Sequence, residues 1–483
     1  MVTLELTTTK DLFFMYNSRL SKFSSFPDVN LSSSKYPALG ASLNRFTPPK
    51  PFSKFVEFCS KSLKKNINLN LDITKSDMID EDRKVFTAYS FKNFSWKGVN
   101  LDNLLSAAII TANEMDLTLS EDKLSFEEAI LDLPNQTSTS FPYYKKKGDP
   151  ITREMTINDC RSYLSNPSID TLLRLPCTIY HRYTVKLSQD LLSNKCKTRV
   201  VWGYPFMITL LEKVFFGTLY KKVFDLSKRP GYRYHCLGKT KLSISSDIIG
   251  YFRSSCNEVF CLDFSGFDRS VPSYFWAIFL AVIQRKGSYS KEFLDNVYNL
   301  VLYNLYTPYC SGSTQVQFKK KGVSSGSLLT ALFGTFVNRM IFNYAFIEKT
   351  GFKKTLGELG TFAGDDGLVS ADYFSLAYLT GLLDRFGMKI NIEKTSKVRN
   401  DQFIDFLGFK WNIKNEPTQS EAWFVSHICV PSRFYRNLDM PVSVFQTYRA
   451  ISVCFGVKDG FEILMKLIGK FDYVLQNLIR QYK

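Results

Sequence analysis

Histidine is scarce in this chain. Three occur in 483 residues, His181, His235 and His427, and the ten cysteines form no C-x-x-C pair. Zinc sites need Cys and His at close spacing, so none is indicated, and the thiols read as free and buried in a reducing compartment. A long apolar run is also missing. The longest, Tyr274 to Ile283, is about half of the ~20 residues that span a bilayer. The opening stretch MVTLELTTTKDLFF carries Glu5 and lacks the basic-then-apolar order of a signal peptide. A soluble intracellular protein with no membrane span is the expectation.

Acid is in deficit: 45 Asp+Glu stand against 62 Lys+Arg, a formal net charge of +17. That excess suits a polyanionic partner, most simply nucleic acid, and a generally basic soluble surface accounts for it equally well. What is abundant is apolar material, 45% of the chain with 15% aromatics. This is ample for a large core and argues against disorder. The length exceeds one ordinary domain, so roughly two to four subdomains are expected.

Along the chain, about the first 60 residues are rich in Ser, Pro and Lys and are expected to wrap over other parts of the protein. Asn100 is placed to cap a helix over LDNLLSAAIITANEM, and Pro205 to open another over PFMITLLEKVFFGTLYKKVF. Pro134 to Tyr204 reads as basic loops and strands. Val259 to Leu262 is a short apolar run delivering Asp263, as a buried central strand does. Helical patterns follow from Ser273, from Ser290 to about Tyr306, and from Ser327 to about Glu348. A strand–turn–strand centres on Gly364, a helix covers Leu376 to Phe386, and short strands lie near Phe406 and Trp423. The residues from Pro431 onward read as helical and basic-aromatic. This is an α+β order, not a regular βαβ alternation.

The chemistry lies in three segments. Asp263 and Asp268 stand in DFSGFDRSVP; Ser325, Gly326, Thr330, Gly334 and Asn338 stand in GVSSGSLLTALFGTFVN; Asp365 and Asp366 stand in a Gly-Asp-Asp. Phosphoryl transfer by two metals needs carboxylates that hold two divalent ions ~4 Å apart, and Mg2+ suits such a site because it leaves positions for substrate phosphates. Asp263 at a strand end and Asp365 and Asp366 at a hairpin tip are able to meet from adjacent strands. Asp366-Gly367 would equally serve as an ordinary hairpin turn. Asp268 either caps the turn through Gly266 or accepts a hydrogen bond near a ribose. Asn338 is either a buried structural amide or a partner of Asp268 and a 2′-hydroxyl. Small residues every four positions before it let a backbone or a template strand come close.

Taken in order, these segments resemble the palm motifs of viral RNA-dependent RNA polymerases, most closely the partitivirus-like, picornavirus-related group of double-stranded RNA viruses. Lys195 to Pro205, with Lys197 and Arg199 at alternate positions of one strand face, resembles the basic fingers motif that holds a nucleoside triphosphate. Lys186 is similar to that motif's leading lysine. Thr137 to Pro142, including Ser140, resembles the loop through which template enters, with Ser140 or Phe141 where relatives carry Gly. Phe386 to Thr395 resembles the motif whose lysine, here Lys394, protonates pyrophosphate. Phe406-Leu407-Gly408 to Trp411 resembles the strand pair that supports the growing 3′ end. Phe264 stands where relatives often carry Trp, and Ala363 where other groups place Tyr.

The resemblance implies a right-hand fold of fingers, palm and thumb, with an antiparallel palm sheet backed by helices. It divides the chain into an N-terminal extension and fingers (1–257), a first palm part (258–273), a fingers insertion (274–320), a second palm part (321–415) and a thumb (416–483). It implies template-directed RNA synthesis with two Mg2+ ions, Mn2+ being able to substitute. Asp263, Asp365 and Asp366 would hold the metals; Lys186, Lys197, Arg199, Asp268, Ser325, Thr330 and Asn338 would bind nucleotide; Ser140, Gly326, Phe406, Leu407 and Gly408 would meet template or product. RNA, NTPs and a viral coat protein are the implied partners, and the virion interior and host cytoplasm the implied locations. Two rival readings are a reverse transcriptase and a non-catalytic RNA-binding or capsid-like protein. Arg433-Phe434-Tyr435-Arg436 interleaves basic and aromatic residues as RNA-binding surfaces do, and an amphipathic core edge explains it as well.

Overall fold

Asn100 does cap a helix: its side chain accepts from the Asn103 N–H and opens α1 (Leu101–Glu114). This computed structural model describes residues 89, 98–188, 194–310, 316–351, 356–429 and 451–468, with side chains omitted for a few of these. The N-terminal stretch, most of the basic-aromatic C-terminal region and Arg433 to Arg436 lie outside the described residues. The chain divides into two compact units. One contains the described residues of Arg83–Tyr180 and Val201–Gln402, the other those of His181–Val200 and Phe403–Lys483.

In the first unit, α2 (Pro150–Ser165) occupies part of the stretch expected to be loops and strands. Asp149 accepts from the Thr152 N–H and Pro150 sits in the first turn, a strong local start signal. Its buried face is Thr152, Thr156, Cys160 and Tyr163, a pattern too polar to stand out as an apolar stripe. Strands β1 (Cys177–Leu187) and β2 (Asn194–Gly203), most of whose residues belong to the second unit, follow in the chain as neighbours, with the side chains of Lys186 and Lys197 outside the description. The long helix α3 (Phe206–Ser227) then starts directly after Pro205.

β3 (Glu258–Leu262) is the central strand that the apolar run announces. After it come α4 (Tyr274–Gln284), α5 (Lys291–Leu305), the short strands β4 (Pro308–Cys310) and β5 (Gln317–Phe318), and α6 (Thr330–Thr350). β6 (Gly360–Ala363) and β7 (Asp366–Ser370) form a hairpin, α7 (Leu376–Arg385) follows, and β8 (Ser396–Arg399) closes the sheet. The sheet order is β6-β7-β3-β8 and every pairing is antiparallel. Its strands bury most of their residues; Val259 and Phe260 of β3, Leu368 and Val369 of β7, and Phe362 of the edge strand β6 are all 2% exposed or less.

Helices back this sheet. Arg339 on α6 is fully buried and grips Glu114 of α1 with two hydrogen bonds of 2.8 Å, while also donating to the carbonyls of Gly360 and Gly357. A guanidinium is suited to this because its planar fork satisfies several acceptors at once. Trp276 of α4 stacks on Phe333 of α6 with ring centroids 3.6 Å apart.

In the second unit, β9 (Ile404–Phe406) and β10 (Phe409–Trp411) form a hairpin extended by β11 (Pro417–Thr418). Leu407 and Gly408 both have positive φ, 53° and 74°, as a two-residue hairpin turn of this kind demands. Two helices, α8 (Glu421–Cys429) and α9 (Gly460–Ile468), complete what is described. Trp423 therefore lies in a helix, not in the strand expected there. Ser420 accepts from the Trp423 N–H, a local start signal that outweighs the aromatic content. Among the described residues no helix is long and apolar enough to cross a membrane.

Candidate active site

The register of the central sheet brings the acidic residues together. Leu262 of β3 pairs with Gly367 of β7, so the next step along both strands sets Asp263 beside Asp366. Ala363 pairs with Asp366, which makes Gly364-Asp365 the two-residue turn of the hairpin. Asp366-Gly367 is thus not the turn; both residues are in β7. Gly364 has φ 64°, the left-handed conformation that glycine supplies at the first position of such a turn. Asp365 is exposed at the tip, and Asp263 and Asp366 are half-buried beside it.

Burial, with the like charges of Asp365 and Asp263, pushes the Asp366 carboxyl up to about 7. Carboxylates crowded in this way are stabilised by a cation, so the residues fit the divalent ions expected here. Among the described residues no group of three or more His, Cys, Asp and Glu side chains is drawn together closely enough to hold a metal ion by itself. An open set of carboxylates suits ions that also take phosphate oxygens.

Asp263 is held by the segment entering β8. Asn391 donates its backbone N–H to the Asp263 carbonyl and its side-chain Nδ2 to Asp263 Oδ2, both at 2.8 Å. Thr395 Oγ1 accepts from the Asp263 N–H at 3.1 Å. Lys394 Nζ lies 3.4 Å from the same Oδ2, with its side chain about half exposed. Neither Asn391 nor Thr395 stood out in the sequence; both adjoin Lys394 within a motif in which the lysine drew attention.

The hairpin tip rests on α6. Thr335 Oγ1 accepts from the Gly364 N–H at 2.7 Å, and Asn338 Nδ2 donates to the Gly364 carbonyl at 3.1 Å and to that of Asp365 at 3.4 Å. Gly334 faces Gly364 across ordinary contact distance. The backbone approached by the small residues of this helix is therefore that of the carboxylate hairpin. Asn338 is fully buried and spends its amide nitrogen there rather than on Asp268, while its Oδ1 is buried with no protein partner.

Asp268 is exposed, and its carbonyl accepts from the Val323 N–H at 2.6 Å, tying its short helix to the loop before α6. In that loop Ser325 is exposed and its Oγ accepts from the Trp202 N–H at 3.3 Å. Gly326 has no room for a side chain: a Cβ there would lie 2.1 Å from the Trp202 carbonyl oxygen. Thr330 Oγ1 donates back to the Ser324 and Ser327 carbonyls, bracing the loop.

Ser140 is 1% exposed, its hydroxyl buried without a partner, and a Cβ at Gly203 would meet it. Arg199 is exposed on β2 and belongs to the second unit. In that unit Phe406 is buried, Leu407 is half-buried and Gly408 is exposed with its carbonyl accepting from Gln419.

Comparison with known proteins agrees with this geometry. The family described as viral RNA-dependent RNA polymerase matches residues 80–422. The RNA-directed RNA polymerase of Cryptosporidium parvum virus 1 (strain KSU-1) is 24% identical over 302 residues, covering 60% of this chain and 55% of that protein. The RNA-directed RNA polymerase of Atkinsonella hypoxylon virus (isolate 2H) is 32% identical over 127 residues, covering 25% and 19%. The chain thus spans about half the length, or less, of these curated relatives. Among solved structures, the RNA-dependent RNA polymerase of a human picorbirnavirus aligns with a TM-score of 0.60 at 16% identity, over 99% of this chain and 84% of the other. Its insertion-loop deletion mutant aligns with the same score over 98% and 86%. The right-hand polymerase fold, α+β with an antiparallel palm sheet, is therefore the fold of this chain.

Proposed function

The chain belongs to the viral RNA-dependent RNA polymerase family, and from that premise we propose that it extends RNA on an RNA template from nucleoside triphosphates. The single observation that carries this reading is the junction of β3 with the β6–β7 hairpin, which sets Asp263 beside Asp366 with Asp365 at the tip. Members of the family generally use divalent metal ions; here two Mg2+, or Mn2+ in their place, would be held by Asp263 and Asp365 with Asp366 contributing. When bound, such ions favour the ionised 3′-hydroxyl and offset charge on the departing pyrophosphate.

The chain's own residues account for the rest. Asn391 and Thr395 fix Asp263 by its backbone and its carboxylate. Asn338 and Thr335 fix the Gly364-Asp365 backbone, so the carboxylates do not have to be ordered during reaction. Asn338 Oδ1, left without a protein partner, and the exposed Asp268 and Ser325 are the groups we assign to the ribose. Lys394, already beside the Asp263 carboxylate, is the proton donor for pyrophosphate. Lys186, Lys197 and Arg199 keep the triphosphate role that their motif implies. We propose as well that the chain has the five-part division given above, replicates and transcribes a double-stranded RNA genome, has a coat-protein partner, and works in the virion and host cytoplasm.

The test is incorporation of labelled NTPs on single-stranded RNA with Mg2+, by the wild type and by an Asp365→Asn, Asp366→Asn double variant. Template-dependent product from the wild type alone is the expected result. Product from both would end the assignment of the carboxylates. Preference for dNTPs over NTPs would favour a reverse transcriptase.

A further inference from the structure

Glu212 is a fully buried carboxylate in α3, in no motif that the sequence singled out. Its Oε1 accepts from Asn304 Nδ2 at 2.6 Å and from Ser327 Oγ at 2.7 Å, and its Oε2 accepts from the Leu328 N–H at 2.8 Å. Three donors for two oxygens is the arrangement a carboxylate wants and an amide cannot supply. Burial pushes its carboxyl above the ordinary range, and these hydrogen bonds oppose that.

The bonds land at a specific place. α6 begins at Thr330 after Leu329, a residue with no side-chain cap to offer. The first N–H groups of a helix are left without intrahelical partners and its N-terminus carries partial positive charge. Glu212 serves that end from another helix, taking Leu328 N–H directly, while Ser327 Oγ accepts from the Leu329 N–H at 3.0 Å. The network continues below the loop. Tyr204 OH donates to Asn304 Oδ1, Thr307 Oγ1 meets Tyr204 OH, and Ser324 Oγ meets Thr307 Oγ1. Ser324 and Ser327 are buried on either side of the exposed Ser325 and its neighbour Gly326. Trp202 confines Ser325 and Gly326 from the other side.

We infer that Glu212 is a positioning residue, which holds the Ser324–Leu328 loop so that Ser325 is presented to the incoming nucleotide. The inference rests on the proposed polymerase activity for the word nucleotide, and on geometry alone for the loop. A buried acid that merely filled the core would alter stability without altering the loop or nucleotide selection.

The experiment compares wild type with Glu212→Gln, and with Ser327→Ala, which removes one bond of the network at a helix start. Hydrogen exchange of the peptide covering residues 322–333 is measured beside exchange elsewhere, together with equilibrium affinity for fluorescent GTP and dGTP analogues in the presence of template RNA. Faster exchange confined to this loop is expected, with GTP affinity falling roughly tenfold to a hundredfold, as loss of about one hydrogen bond to a charged group predicts. Discrimination between GTP and dGTP should fall with it, while affinity for template RNA is unchanged.

Unaltered exchange in the loop would overturn the anchoring role, and loosened exchange with unaltered GTP affinity would overturn the positioning role. If Glu212→Gln does not fold, Ser327→Ala decides by the same two readouts. A wild type that binds GTP but makes no RNA would count against the polymerase reading while leaving this inference standing on exchange and affinity.

Discussion

The amide nitrogen of Asn338 lies 3.1 Å from the carbonyl oxygen of Gly364, so a helix side chain buttresses the turn that carries Asp365. With Thr335 accepting from the Gly364 N–H, both backbone groups of that glycine are satisfied by α6. The tip of the hairpin is held as a rigid feature although it lies at the exposed end of two strands.

Replacing Asn338 therefore acts on geometry as well as on the proposed ribose contact. Asn338→Ala removes the donor to the Gly364 and Asp365 carbonyls and is expected to cost about 0.5–1.5 kcal/mol of stability, with a larger loss in turnover than in RNA affinity. Thr335→Val, which removes the acceptor of the Gly364 N–H, should lower turnover in the same way without changing ribose over deoxyribose selection. Denaturant unfolding and paired NTP and dNTP kinetics separate the two; a selection change with Thr335→Val would show that the buttress and the ribose contact are not distinct.

Asn391 and Lys394 both meet Asp263 Oδ2, but differently. Asn391 is tied by backbone and side chain, whereas Lys394 is about half exposed and its ion pair is screened. Asn391→Ala should raise the Mg2+ concentration needed for half-maximal synthesis and lower kcat about tenfold or more. Lys394→Met should leave thermal stability nearly unchanged and lower kcat with little change in the KM for NTP. A Lys394→Met enzyme with an undiminished kcat would exclude it as the proton donor.

Arg339 and Glu114 form a buried pair whose removal is expected to be severe. Arg339→Met leaves Glu114 without its bidentate partner and the carbonyls of Gly357 and Gly360 without a donor. Loss of about 3–5 kcal/mol is expected, read as a lowered denaturation midpoint. A shift no larger than that of a surface Arg would mean that the pair does not hold α1, α6 and β6 together.

Lys319 sets a pH dependence. It is fully buried, donates to the Gly322 carbonyl at 3.0 Å, and lies 6.0 Å from the Trp202 ring centroid. Burial pushes its ammonium down to about 7 from an ordinary 10.5. The unfolded chain then binds more protons than the folded one between those values, so this residue makes stability rise with pH across that window. Below it the penalty is complete. Lys319→Met should flatten this part of the stability curve and raise the melting temperature at pH 7; equal slopes in both proteins would contradict the burial of a charge there.

The amino-acid sequence determined by itself whatever depends on near neighbours. Asn100 next to an amphipathic run caps α1, the run Val259 to Leu262 makes β3, and the order Asp263, Ser325-Gly326, Asn338, Gly364-Asp365-Asp366 already marks a polymerase palm. Caps, strand periodicity and motif order are local or ordinal properties, legible without packing. Trp423 and α2 lie in helices that the polar caps Ser420 and Asp149 open, local signals masked by the aromatic content around Trp423 and by the polar buried face of α2. Only the tertiary structure decided which carbonyls Asn338 holds, that the turn is Gly364-Asp365, that Asn391 holds Asp263, and that Glu212 holds Ser327 and Leu328. Asn338 reaches 26 residues to Gly364, Ser327 reaches 115 to Glu212, and Asn391 reaches 128 to Asp263. Across such separations a hydrogen bond has no signature in composition or period, since its partner is chosen by how helices and strands pack and which buried polar groups must then be satisfied.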